Sequence, residues 1–177
     1  MAADFPYHAI IVDNLVGIFK SYCREKKCGV AFSDNIDVHL PDGNLFRPDV
    51  SIFCNPSSIN IFGKINGVPD LVVEVLSAST MKNDRTKKKD IYERNGVREY
   101  WIVDQWKKFV EVYHSVDGKF ELDEIYVLYT SEEWEALTDK EREAAQFEIK
   151  VSLFDDLFVD VREVFYWWGE ELPVYNR

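Results

Sequence analysis

The chain has 177 residues, 46% of them hydrophobic and 15% aromatic, with a formal net charge of −11. That apolar content fills a sizeable core and argues against a disordered chain, and no run of about 18 apolar residues is present to span a membrane. An acidic molecule of this kind does not hold nucleic acid by non-specific attraction over its whole surface.

The charge is uneven. Residues 130–177 hold 13 acidic and 5 basic side chains, against 19 and 16 in the remainder. Lys82, Arg85, Lys87, Lys88 and Lys89 oppose only Asp84 in one short stretch, where a polyanion would be attracted. Cys23, Cys28 and Cys54 are odd in number and lack Cys-x-x-Cys spacing, which speaks against a disulfide framework or a zinc site. With no basic and apolar leader at the N-terminus, the expected setting is a reducing cytoplasm.

Taken in chain order, Tyr7 to Lys27 reads as a helix, with Ile11, Leu15, Ile18 and Tyr22 on one face and Gly29 placed to stop it. Val30–Phe32 and Ile36–Leu40 are short strand candidates, separated from the next by the turn Pro41-Asp42-Gly43-Asn44. Asp49–Cys54 alternates as a strand, and Asn55–Gly67 reads as a loop or insertion. Leu71–Leu76 is a buried strand. Ser77-Ala78-Ser79-Thr80 then leads into a helix over Met81–Asn95, closed by Gly96. Glu99–Asp104 and Phe109–His114 are strands, and Asp117-Gly118 turns into another over Lys119–Tyr129. Ser131–Ala145 reads as a short polar helix or two turns, Phe147–Val151 as a strand and Asp160–Trp168 as a closing helix. The expected class is α+β: a mixed sheet flanked by helices, in one domain over residues 1–177.

Within Pro69-Asp70-Leu71-Val72-Val73-Glu74-Val75-Leu76-Ser77 one residue is out of keeping. Glu74 is a carboxylate among aliphatic neighbours, which costs several kcal/mol (about 3–5) unless a cation or donors meet it. Asp49, at the start of another strand, could share a magnesium ion with it. Lys88 would then orient or deprotonate a water and offset charge on a phosphodiester. Asp84, Lys88 and Tyr92 fall at i, i+4 and i+8 of the helix, so Asp84 is placed to hold Lys88.

These segments, Arg47-Pro48-Asp49-Val50, Pro69 to Ser77, and Asp84…Lys88…Tyr92…Gly96-Val97-Arg98-Glu99-Tyr100-Trp101-Ile102-Val103-Asp104, resemble the Uma-type family of restriction-endonuclease-like proteins, within the PD-(D/E)XK nuclease superfamily. The resemblance extends to His8 and to Phe147–Phe165, and so covers nearly the whole chain. It implies a restriction-endonuclease-like core and hydrolysis of nucleic-acid phosphodiesters, DNA in the first place. It also implies magnesium, replaceable by manganese, held by Asp49, Glu74 and the Val75 carbonyl. The superfamily's lysine, two residues after the second carboxylate, falls here on Leu76, and Lys88 on the following helix matches in its stead. The superfamily's acidic residue on the first helix has no clear counterpart; His8 and Asp13 are the candidates. Superfamily members often form dimers, so a homodimer is implied, and no membrane partner is expected.

Each residue also has a plainer reading. Glu74 could be ion-paired for structure alone, Asp49 could merely open a strand, and a run of lysines is usually a solvated helix face. The contrasting expectation for the whole molecule is a catalytically silent nuclease-like fold acting as a binding or assembly module. The net charge and the displaced lysine both favour it.

Overall fold

The computed structural model describes residues 6–77, 81–170, 173 and 175. The approach to the second helix through Ala78, Ser79 and Thr80, and the side chain of Lys82, lie outside the described residues.

Helix α1 (Pro6–Lys26) buries Ile11, Val12, Leu15, Val16, Phe19 and Cys23 along one stripe, as the helical spacing of its apolar residues dictates. It ends at Lys27, which takes the left-handed conformation with φ 53°, two residues before the glycine expected to stop it. Gly29 serves a different purpose. A Cβ there would stand 2.7 Å from the Phe53 carbonyl oxygen, so glycine is what lets the chain pass so close to the neighbouring strand.

Six strands form the main sheet: β1 (Val30–Ser33), β4 (Val50–Phe53), β6 (Leu71–Val75), β7 (Glu99–Asp104), β8 (Phe109–Val116) and β9 (Lys119–Val127), in the order β1-β4-β6-β7-β8-β9. Within it β6 and β7 run parallel and the other neighbours antiparallel. Parallel neighbours need a long crossover. Here it contains α2 (Met81–Asn83), a π-helical turn (Asp84–Lys88) and α3 (Lys89–Asn95). Gly96, at φ 86°, closes α3 with its N–H on the Glu93 carbonyl, as its position after Asn95 led one to expect.

A smaller sheet of β2 (Val38–His39), β3 (Leu45–Phe46) and β5 (Ile65–Asn66) lies against the α3 side. The expected loop over Asn55–Gly67 therefore contains one short strand, and a 3₁₀ turn over Pro56–Ser58. Near the C-terminus, Thr130 and Thr138 each cap a short helix with a full capping box, giving α4 (Ser131–Ala136) and α5 (Asp139–Ala144).

The closing helix is shorter than its apolar spacing suggested. Phe158–Asp160 is strand β11, paired with β10 (Glu148–Lys150), and only Val161–Val164 forms a helix, α6. The Tyr7 hydroxyl donates to the Phe165 carbonyl at 2.9 Å, and the Asn14 amide donates to those of Val164 and Tyr166 at 3.2 and 2.8 Å. Side chains of α1 thus take the carbonyls that a continuing helix would have used.

The main sheet divides the core in two. Leu71, Val73 and Val75 of β6 pack on the α1 side, whereas Val72 and Leu76 pack with Ile91, Tyr92, Tyr100 and the small sheet. Side chains alternate along a strand, so Glu74 shares the face of Val72 and Leu76 and points towards α3.

Candidate active site

Asp49 stands just before β4. The register Val50↔Val73 sets it opposite Glu74 across the β4–β6 pair. Pro48 has no N–H and cannot extend the ladder. In place of a backbone partner, the Val75 N–H donates to Asp49 Oδ2 at 2.7 Å. An extended residue turns its N–H and C=O to the same side, so the Val75 carbonyl faces this edge too. His8 of α1 is buried with its Nε2 3.4 Å from the same Asp49 oxygen. Asp13, the other first-helix candidate, is exposed and is not part of this group.

Glu74 is 2% exposed. Its Oε1 accepts from the Tyr92 hydroxyl and its Oε2 from Lys88 Nζ, both at 2.8 Å. Burial pushes its carboxyl up to about 8; Lys88 pulls the other way, and the charges of Asp49 and Asp84 add to the rise. Tyr92 is raised well above its ordinary value, chiefly by burial and then by Glu74, so it is a neutral phenol donating to the carboxylate.

Lys88 Nζ also lies 2.8 Å from Asp84 Oδ1. Burial alone would lower the lysine, but the Glu74 and Asp84 carboxylates hold it above its usual range. It is therefore an ammonium, fit to donate and to offset negative charge and unfit to act as a base. Asp84 is 1% exposed, not the solvated helix partner its charge run suggested. Its contact with Lys88 is out of hydrogen-bond alignment, and Oδ2 has no hydrogen-bond partner among the described residues. The Tyr100 hydroxyl donates to its backbone carbonyl at 3.0 Å.

The structure thus brings Asp49, Glu74, Val75, Asp84 and Lys88 to one end of β6. Among the described residues Asp49, Glu74 and Asp84 outnumber the one ammonium, Lys88, and the raised Glu74 carboxyl relieves part of that costly excess in the metal-free protein. Among the described residues no group of three or more His, Cys, Asp or Glu is arranged to hold a metal ion. Two carboxylates and a carbonyl do fit magnesium, which keeps several of its waters and takes few protein ligands.

The basic run beside the site is largely spent on the protein itself. Arg85 pairs with Glu111 at 2.6 Å, Lys88 is in the cluster, and Lys89 sits 3.6 Å over the Tyr113 ring. Lys87 is exposed. This corrects the expectation that the stretch as a whole offers charge to a polyanion. Gln105 escaped the sequence reading altogether: buried, it donates to the Leu76 carbonyl at 2.6 Å and tethers the end of the Glu74 strand. Nothing in its sequence context signals that role.

The sequence profile of the Uma2 family, described as "Putative restriction endonuclease", matches residues 1–150. The chain belongs to the Uma2 family. An uncharacterized protein of Synechocystis sp. is 32% identical over 111 residues, 62% of this chain and 58% of that relative. The match thus takes in less than two thirds of the relative's length. Among solved structures, a protein of Anabaena variabilis titled as a putative nuclease of DUF820 superposes with a TM-score of 0.66 at 21% identity, covering 92% of this chain and 82% of the other. At that identity the likeness shows a shared fold. This Uma2 chain carries its two strand carboxylates and its helix lysine within the matched region. Among the described residues no helix is long and apolar enough to cross a membrane.

Proposed function

We propose that this Uma2 chain is a magnesium-dependent endonuclease that hydrolyses phosphodiester bonds of nucleic acid, DNA in the first place, in the cytoplasm. The observation that carries this reading is the excess of acidic side chains over ammonium at the end of β6, where, among the described residues, Asp49, Glu74 and Asp84 meet Lys88 and the His8 ring. Asp49, Glu74 and the Val75 carbonyl would hold the ion. When bound, magnesium would supply Lewis-acid polarisation of a phosphoryl oxygen and a more acidic water.

The chain's own residues do the remainder. Lys88, held as an ammonium, donates towards the phosphodiester and offsets the charge that develops there. Tyr92 fixes the plane of the Glu74 carboxylate. The Val75 N–H holds Asp49 at the strand end. Cutting both strands of a duplex requires two such sites, which a homodimer would provide.

The test is cleavage of DNA and RNA with Mg²⁺ or Mn²⁺ by wild type, Asp49→Ala and Glu74→Ala, with sedimentation to give the oligomeric state. Loss of cleavage in both variants supports the reading. Equal activity in all three would overturn it.

A second reading is favoured by one specific observation: both Glu74 oxygens already have protein partners. A catalytically silent module would keep that arrangement permanently. It predicts no rise in melting temperature with Mg²⁺ or Mn²⁺, whereas a rise that vanishes in Glu74→Ala counts against it.

A further inference from the structure

Lys88 Nζ stands equidistant, at 2.8 Å, from Glu74 Oε2 and Asp84 Oδ1. The two contacts are unequal in quality. The one to Glu74 is an aligned hydrogen bond. The one to Asp84 is misaligned, and among the described residues the second oxygen of that buried carboxylate has no hydrogen bond either. A fully buried carboxylate with two unused acceptors, touching a lysine already committed elsewhere, is a costly arrangement to maintain. It becomes intelligible if the lysine has two stations and the structure records it at the first.

We propose that Asp84 is a positioning residue that receives Lys88 when a divalent cation takes Glu74. In the free protein Lys88 is the donor resident on Glu74 Oε2. On cation binding Lys88 gives up Glu74 Oε2 and turns its ammonium wholly to Asp84, whose open acceptors satisfy it. A small rotation of the lysine end suffices, because both carboxylates already lie within contact of Nζ. Tyr92, on the other Glu74 oxygen, keeps the carboxylate oriented during the exchange. The inference deepens the magnesium reading above and rests on it.

The experiment measures Mn²⁺ binding calorimetrically, without nucleic acid, in wild type, Glu74→Ala, Lys88→Met, Asp84→Asn and the Lys88→Met/Asp84→Asn double variant. Lys88→Met should bind Mn²⁺ more tightly than wild type, because its competitor is gone. Asp84→Asn should bind about 10-fold more weakly, because Lys88 then has nowhere to go. In the Lys88→Met background the same Asp84→Asn change should have little effect, since Asp84 acts only through the lysine. An equal loss from Asp84→Asn in both backgrounds would overturn the proposal while leaving the metal site intact. Binding that is indifferent to Glu74→Ala would overturn the proposal and the metal site together. If Lys88→Met does not fold, the Lys88 side-chain NMR resonances of wild type decide the matter. A shift on adding Mg²⁺ that is lost in Asp84→Asn supports the exchange, and resonances unmoved by Mg²⁺ exclude it.

Discussion

The Tyr92 hydroxyl donates to Glu74 Oε1 at 2.8 Å, joining a helix to a strand 18 residues earlier at an atom with almost no access to solvent. Tyr92→Phe keeps the ring packing against Phe46 and Tyr100 and deletes only the donor. The expected loss of stability is about 1–3 kcal/mol, read from urea unfolding. A neutral result would mean that Glu74 Oε1 has another donor in solution.

Two glycines should respond to alanine with opposite sign. A Cβ at Gly29 would meet the Phe53 carbonyl oxygen at 2.7 Å, whereas one at Gly17, inside α1, meets nothing within 4 Å. Gly29→Ala is expected to destabilise by about 1–3 kcal/mol. Gly17→Ala should stabilise by about 0.5–1 kcal/mol by easing the entropy cost of helix formation. Thermal melts of the two variants beside wild type settle both.

Stability without metal should depend on pH through Glu74. Its folded carboxyl is raised to about 8 by burial, above the ordinary 4.5. Between those values the folded state holds a proton that the unfolded state has released, so stability falls as pH rises. The contribution is intact below the ordinary carboxylate range and is lost as pH climbs through about 8. Melting curves of wild type and Glu74→Gln in a chelator should diverge across this window, wild type losing more on the alkaline side. Parallel curves would show that Glu74 is ionised in the folded protein throughout.

Ile61 and Phe62, 81% and 95% exposed, cap a turn held by Asn60, whose side chain accepts the Phe62 N–H and whose carbonyl accepts that of Gly63. Residues 55–69 contain no acidic side chain, which leaves this arm open to a polyanion. If the arm reads nucleic acid, Phe62→Ser should weaken binding by up to about 1–3 kcal/mol, the worth of one stacked base, with the melting temperature unchanged. Fluorescence anisotropy with labelled DNA and RNA measures it; an unchanged affinity would assign recognition elsewhere.

Much of the fold was legible because its signals are local. The alternation around Glu74, the stop at Gly96 and the turn at Asp117-Gly118 each announce themselves within a few residues. The extent of the last helix was not legible, because Tyr7 and Asn14, far away in the chain, decide where it ends. The same holds at the site. Glu74, Asp49 and Lys88 stood out by chemistry and resemblance, and the helical spacing aligned Asp84 and Tyr92 with them. The depth at which Asp84 lies depends on how the crossover packs against β7, which no local pattern reports. Gln105 acts through one long-range bond to a backbone atom, and such bonds leave no mark on composition or spacing.

The π-helical turn over Asp84–Lys88 has a consequence for angular register. Four residues of an α-helix overshoot a full revolution by about 40°, so a file of side chains at i, i+4 and i+8 drifts steadily round the axis. A π turn takes more residues per revolution, so the step from Asp84 to Lys88 falls short where the step from Lys88 to Tyr92 runs over. The two errors oppose each other, so Asp84 and Tyr92 come back to nearly the same bearing, with Lys88 set slightly to one side between them. The widened turn works like a vernier, cancelling the drift that would otherwise carry Asp84 away from the carboxylate that Lys88 and Tyr92 both reach.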